Sequence, residues 1–339
     1  KAFRGHELLA KLFKTIGDHK KANEHLEKFF EYKTQVLQDE SNSRIKVLQT
    51  QLLAEEASKR EEIEKESHYQ LKKAFQIIEQ KNTEILQSIN YAKRIQKTIL
   101  PSQIFLKNHL PDSFVYYRPK DIVAGDFYWM NFFNKKIFFA VCDSTGHGVP
   151  GALVSLICNQ ALNSAINEFK LEQPAQILDK VNELVIESFS SNVNEEVKDG
   201  MDASLIMIDV ENEMIEWAGA NNPLWILNNN STEPQLIEIK GNKQPIGNFD
   251  FIKPFTNHQM PLIKGNKYYL FSDGFADQFG GPGWQVGGKK FSQKRLRELI
   301  LSSWNMPVLL QEQMFEKTFL EWKADGEQID DVLLAGFSF

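Results

Sequence analysis

A mixed α+β domain of two packed sheets flanked by helices, preceded by a long helical arm, is the architecture this sequence predicts. Three observations predict it. Residues 41–100 contain neither Pro nor Gly, so a helix has nothing to stop it there. After Pro101 the texture changes to short β-rich runs separated by Asn, Gly and Pro clusters. Helical periodicity returns inside that region at Gly151–Phe169 and Ala175–Ser190, and again over Gln293–Trp322. Strands and helices segregated in this way describe antiparallel sheets with helices packed on their outer faces.

The arm comes first. Leu8, Leu9, Leu12, Phe13 and Ile16 form one apolar face, Gly17-Asp18 breaks the helix, and Ala22, Leu26, Phe29 and Phe30 form a second. Residues 1–40 resemble one tetratricopeptide repeat. Such a unit cannot bury its own face and normally stacks on others, so this hairpin is expected to be a fragment of a longer array. The chain begins at Lys1 rather than Met, which also suggests a fragment with a sensor or membrane part upstream. Residues 41–100 are expected to form a long helix or coiled-coil linker. Leu71, Ile78, Ile85, Ala92 and Ile99 recur every seven residues, with Ala74 and Ile95 on the companion seam and Lys81 and Ser88 interrupting it. Ile45, Leu48 and Leu52 keep another register, and nine of the twelve residues Glu55 to Glu66 are charged, so the register must slip between them. A seam of this length asks for a partner, which points to a parallel homodimer through residues 41–100; packing on the chain's own C-terminal domain is the alternative.

Residues 101–339 form the third segment. Strands are expected at Phe114–Tyr117, Asp126–Phe132, Ile137–Val141, Ala203–Val210, Met214–Trp217, Leu224–Leu227, Leu236–Ile239, Lys267–Phe271 and Val332–Phe337. These runs are nearly all apolar rather than alternating, as strands covered on both faces are. Most of the 25 Phe and 6 Trp lie after residue 100, which places the core here. A net charge of −6 argues against a nucleic-acid partner held by a basic face. Cys142 and Cys158 are the only cysteines, without CxxC spacing, which fits a reducing cytoplasm. No stretch is read as a membrane helix.

The chemistry-bearing residues are carboxylates. Asp126 follows Gly125, Asp143 follows the apolar run ending at Val141, Asp273 stands between Ser272 and Gly274, and Asp330-Asp331 precede Val332. An Asp at the end of a buried strand is costly unless something pairs with it, and no matching Arg or Lys stands at these spots. Converging carboxylates need a divalent cation. An all-oxygen donor set suits Mg²⁺ or Mn²⁺, and the 7 His show no zinc spacing.

The ordered motifs GDFYW, VCDSTGHGVPGALVSL, LFSDGFADQ and IDDVLLAGF, with AKRIQKTILP, DASLIMIDVEN, WAGANNPLWIL and NKQPIG among them, resemble the SpoIIE/RsbU branch of the PPM (PP2C-like) protein serine/threonine phosphatases. The match runs from about Ala92 to Phe339. The resemblance implies an αββα sandwich with a two-metal centre. Asp126, Asp143, Asp273 and Asp330 would be the metal carboxylates, Asp143 bridging, with the main-chain carbonyl of Ser144 added and Asp331 the lesser candidate. Ser144 stands where Gly is common. His147 comes four residues after the bridging Asp, later than the general-acid His of animal relatives, and is read as a turn residue. Two such ions would bind and acidify a water for in-line attack on phosphorus. Arg118 and Lys120 are the candidates for the substrate phosphate. Asp199 and Asp202, on the polar stretch Asn192–Asp202 read as a flap, are candidates for a third metal. Lys289 and Lys290, closing GPGWQVGGKK, are read as surface charges.

The function these readings support is a bacterial signalling phosphatase acting on phosphoserine or phosphothreonine. By family analogy the substrate is a small STAS anti-anti-sigma-type regulator, and the helical arm controls turnover. The competing reading is a catalytically silent phosphatase fold working as a scaffold through its arm.

Overall fold

The structure, a computed structural model, describes residues 2–190, 198–228, 234–249, 252–282 and 288–339. The chain divides into two compact units, Lys1–Glu84 and Ile85–Phe339.

In the first unit, α1 (Ala2–Ile16) ends at Gly17, whose φ of 83° only glycine adopts without strain. Helix α2 (His19–Ile99) then starts, its first turn capped by the Asp18 carboxylate accepting from the Lys21 amide at 3.2 Å. The hairpin is joined by ring contacts of Phe3 with Phe29, His6 with His25 and Tyr32, and Phe13 with His25. Only Ala10 and Ala22 become buried, while Leu8, Leu12 and Ile16 stay exposed. The expected divide at residues 40/41 falls inside α2, which carries on without interruption.

The second unit holds the remaining elements. They are α3 (Gln103–His109), β1 (Ser113–Arg118), β2 (Phe127–Phe133), β3 (Lys136–Ser144), α4 (Gly148–Asn167), α5 (Pro174–Ser190) and β4 (Gly200–Asp209). Then follow β5 (Met214–Ala220), β6 (Leu224–Asn228), β7 (Gln235–Ile239), β8 (Ile246–Gly247), β9 (His258–Pro261), β10 (Lys267–Phe271) and α6 (Gly274–Asp277). Last come β11 (Phe279–Gly280), β12 (Lys289–Lys290), α7 (Ser292–Ser302), α8 (Val308–Lys323) and β13 (Val332–Ser338). The pairings are antiparallel. One sheet runs β1-β13-β10-β6-β7, the other β2-β3-β4-β5-β9 with β8 on β4, and β11 pairs only with β12.

Three cores stack through this unit. Phe138, Ala140 and Cys142 of β3 face α4 and α5, joining Leu162, Ile166 and Leu178. Ile137, Phe139 and Val141 of the same strand face the other sheet and meet Leu270, Leu333 and Phe337. The outer face of that second sheet packs Trp225, Phe271 and Leu334 against Phe315 and Phe319 of α8 and Leu296 of α7. The order helix, sheet, sheet, helix is the architecture the sequence predicts. It also explains why these strands read as unbroken apolar runs, since both faces of each are covered.

Four details differ from the sequence reading. The helix expected over Gln293–Trp322 is two, interrupted at Ser303–Pro307 because Pro307 cannot continue α7. α3 is an added helix, its N-terminus capped by the Ser102 hydroxyl accepting from the Phe105 amide at 3.1 Å. The short strands β8 and β9 carry too few residues to show a period. Finally, α4 is long and apolar enough by length and composition to cross a membrane, against the reading that no stretch is. Its apolar face is packed in the core beside β3.

Candidate active site

The two sheets bring their acidic ends together. β2 begins just after Asp126, β3 carries Asp143 and Ser144 at its end, and β4 places Asp202 opposite Asp143 in register. From the other sheet, β10 is followed by Ser272 and Asp273, and β13 is preceded by Asp330 and Asp331. The approach is close. A Cβ on Gly125 would collide with the carbonyls of Gly146 and Ser144, and one on Gly274 would collide with the Asp331 carbonyl. These glycines are therefore required by contact between the acidic turns.

Asp126 is 2 % exposed. Its carboxyl accepts a 2.5 Å hydrogen bond from the Ser272 hydroxyl and shares another with Asp143. Burial, the Asp143 charge and Asp331 push its pKa well above the ordinary carboxylate range. Asp143 is pushed up to about 8 by burial and by the charges of Asp273, Asp330 and Asp202. Asp273 is open to water on one side yet is raised to about 6, by desolvation of its carboxylate and then by Asp330, Asp277 and Asp202. These carboxylates thus act on one another, and no cation figures among the main influences on Asp126 or Asp143.

Asp331 has a different task. Its two oxygens accept the backbone amides of Lys120 and Gly125, each at 2.7 Å, and so pin the loop that carries Asp126. That leaves Asp330 as the member of the pair whose charge bears on Asp143 and Asp273. The Ser144 hydroxyl is buried without a partner.

The donors fit a hard divalent cation in chemistry. They are oxygens, they crowd one another, and a buried hydroxyl beside them lacks a partner. They are not drawn into a finished cage, for among the described residues no three His, Cys, Asp or Glu stand grouped as metal ligands.

The remaining sequence candidates separate. The Arg118 Nε donates to Gln328 Oε1 at 2.9 Å, and Gln328 donates back to the Arg118 carbonyl. Lys120 Nζ lies 3.1 Å from His147 Nε2, and the other ring nitrogen of His147 is 2.8 Å from Asp121. Of the two candidates for the substrate phosphate, Arg118 is thus bonded to Gln328 and Lys120 lies against His147. His147 belongs to the turn that starts α4, tied to the loop of Asp121. Asp202 joins the carboxylate group while holding Asn221 at 2.8 Å, whereas Asp199 accepts from the Thr145 hydroxyl at 3.0 Å. Most of the expected flap, residues 192–197, lies outside the described residues.

Sequence reasoning missed Ser272 and Gln96. The buried Gln96 side chain donates to the Ala124 carbonyl at 2.5 Å and to Ser155, and accepts from the Ala124 amide at 3.1 Å. It thereby grips the backbone two residues before Asp126. A polar residue between Ile95 and Ile99 in AKRIQKTILP was the available signal.

Comparison with known proteins agrees with this geometry. The family described as Stage II sporulation protein E (SpoIIE) matches residues 134–338. Asp143, Asp273 and Asp330 fall inside the match and Asp126 just before it. The SiaA-PP2C domain of Pseudomonas aeruginosa is 30% identical, with a TM-score of 0.67 over 76% of this chain and 98% of that domain. The RsbU and RsbW domains of a Mycobacterium tuberculosis protein are 16% identical, with a TM-score of 0.52 over 68% of this chain and 60% of that one. The PP2C phosphatase domain of SpoIIE from Bacillus subtilis, with a fragment of its regulatory domain, is 15% identical, with a TM-score of 0.51 over 67% of this chain and 63% of that one. The last two speak for the fold alone. No curated protein sequence matches. The chain belongs to the SpoIIE family and is a protein serine/threonine phosphatase of the PPM type.

Proposed function

We propose that this phosphatase is metal-dependent and works in bacterial signalling, removing phosphate from phosphoserine or phosphothreonine of a small STAS anti-anti-sigma-type regulator in the cytoplasm. The observation that carries the reading is the meeting of Asp126, Asp143, Asp273, Asp330 and Asp202 at one end of both sheets, where burial and neighbouring carboxylates raise the pKa values of Asp126, Asp143 and Asp273. Such a group is unfavourable by itself and becomes favourable around divalent cations.

Asp126, Asp143, Asp273, Asp330 and the Ser144 carbonyl would hold two Mn²⁺ or Mg²⁺ ions, with Asp202 the better placed of the two third-site candidates. Bound there, such ions acidify water and neutralise phosphate oxygens. The chain's own residues set the geometry. Ser272 fixes one oxygen of Asp126. Asp331 and Gln96 clamp the 120–125 backbone from two sides, so Asp126 cannot swing away.

Control by the arm extends this reading. Gln96 and the Asn159 contact to the Ile99 carbonyl at 3.4 Å connect the C-terminal turns of α2 to the Asp126 loop and to α4. The heptad positions Leu71 and Ile78 are 66% and 57% exposed, which supports a homodimer through residues 41–100. Lys81→Leu with Ser88→Leu should tighten that dimer and change turnover. Unchanged turnover in a tighter dimer would defeat the coupling.

Substrate class is tested by phosphate release from a phosphoserine STAS domain, a phosphothreonine peptide and a phosphotyrosine peptide in Mn²⁺. The reading expects the first to be fastest and the last to be inert. Equal release from all three would reject it.

A further inference from the structure

We propose that Lys290 is a substrate-binding residue of this site, held in readiness by Asp277 and given up to the phosphoryl oxygens of the incoming phosphoserine or phosphothreonine. The proposal rests on the phosphatase reading of the carboxylate cluster and adds to it the cation that the sequence sought at Arg118 and Lys120.

The geometry points to Lys290 in three steps. First, its backbone is fixed. Lys290 pairs with Phe279 across β11 and β12, the next amide, of Phe291, donates to the Gln278 carbonyl at 2.8 Å, and the Lys290 carbonyl accepts from Arg295 at 2.9 Å. The β11 strand is fixed in turn. Gly280 lies so close to the Trp322 carbonyl that a Cβ would collide with it, and the Gly281 amide donates to that carbonyl at 2.8 Å. Buried Gln278 completes the frame, donating to the Glu327 carbonyl at 2.9 Å and accepting from the Ile329 amide at 3.3 Å, one residue before Asp330. The hairpin base is therefore tied directly to the segment carrying a site carboxylate.

Second, the side chain reaches toward the cluster. Lys290 Nζ is 2.8 Å from Asp277 Oδ2. Asp277 closes α6, the single turn that starts at Asp273, and its amide donates to the Asp273 carbonyl at 2.9 Å. Asp273 and Lys290 in turn feel each other's charge. Among the described residues, Lys290 is the one cationic side chain that figures among the main influences on any of Asp126, Asp143 and Asp273.

Third, the pair is exchangeable. The Lys290 and Asp277 side chains are 51% and 40% exposed, and an ion pair so open to water is worth little. A phosphoryl group with two charges competes for the same ammonium far better than one exposed carboxylate does. A solvated surface ion pair is the alternative, and it makes a different prediction. An ion pair that only braces the hairpin should be damaged equally by removing either partner. A substrate cation should lose function when Lys290 goes and keep it when Asp277 goes.

The test compares wild type, Lys290→Gln, Lys290→Arg and Asp277→Asn in Mn²⁺, using an aryl phosphate, a phosphoserine peptide and inorganic phosphate. Lys290→Gln should raise KM for both substrates and the inhibition constant of phosphate by about tenfold, the worth of one charged hydrogen bond, with kcat within about twofold. Lys290→Arg should restore most of the loss. Asp277→Asn, which removes the competing carboxylate, should lower KM and the inhibition constant of phosphate. Equal rises in Lys290→Gln and Asp277→Asn, or no rise in Lys290→Gln, would overturn the proposal, as would a rise confined to the peptide. Phosphate binding read by thermal shift in Mn²⁺ tests the contact without turnover, so silence of the wild type would count against the phosphatase reading alone.

Discussion

The arm unit and the catalytic unit treat apolar residues in opposite ways. In Lys1–Glu84 the large apolar side chains are displayed, Leu71, Phe75 and Ile78 each more than half exposed, and among the described residues only two alanines are buried. In Ile85–Phe339 the apolar runs are enclosed in three stacked cores, with Trp129, Trp217, Trp225 and Phe139 almost wholly removed from water. The difference teaches where each unit's stability originates. The catalytic unit carries its own, enough to tolerate a group of buried carboxylates that repel one another. The arm's long helix has no core of its own among the described residues, so helix propensity rather than burial holds it.

The sharpest way to strain this contrast is at the carboxylates. Asp143→Asn should lower phosphatase turnover by roughly 10³-fold, because it removes the residue on which the other charges converge. Melting temperature in the metal-free protein should stay the same or rise, since a repelling charge is lost. A variant that keeps turnover would mean the group is structural.

In the core between the sheets, Phe139→Ala should cost about 3–5 kcal/mol of unfolding free energy. The matching change in the arm, Ile78→Ala, should cost the isolated chain under about 0.5 kcal/mol, since its side chain is already in water. Denaturant melts at concentrations where the protein is monomeric check both. Equal costs would erase the distinction between the units.

Metal should act on one unit only. Mn²⁺ at one hundred times its dissociation constant should stabilise the catalytic unit by about 2.7 kcal/mol. The early, non-cooperative loss of helix signal from the arm should not move. Movement of both transitions together would show that the units melt as one.

Ser272→Ala is a smaller perturbation. It frees one oxygen of Asp126 and should lower kcat/KM by about 10–100-fold with little change in fold. An unchanged rate would show that Asp126 is held well enough by its buried setting.

How far the sequence was legible follows the same division between local and distant causes. The strands β3, β4, β10 and β13 stood out because both of their faces are covered, so they are apolar without interruption. The four acidic turns were visible because each joins a strand end to a Gly or a second Asp. Ser272, Gln96 and Asp331 act across the chain, at sequence separations of 146, 28 and 206 from the residues they hold, so no local pattern announces what each of them holds. Arg118 and Lys120 were chosen because they precede Asp126 in sequence. In the structure Arg118 bonds to Gln328 and Lys120 lies against His147, while Lys290, far along the chain, pairs with Asp277 at the end of the turn that Asp273 caps. The break at Pro307 was readable and was overridden by the apolar spacing on both sides of it. The two-residue strands are set by their neighbours in the sheet, so they carry no signal of their own.

The central claim is that the carboxylates at the joined sheet ends form a metal-dependent phosphatase centre. The most direct measurement is hydrolysis of an aryl phosphate with Mn²⁺, with Mg²⁺ and with chelator, for wild type and Asp126→Ala, with residues 85–339, which keep Gln96, run alongside in case the arm restrains the enzyme. The account predicts metal-dependent release from the wild type or from residues 85–339 that disappears with chelator and in Asp126→Ala. Release that survives both, or silence from both forms under every ion, would contradict it.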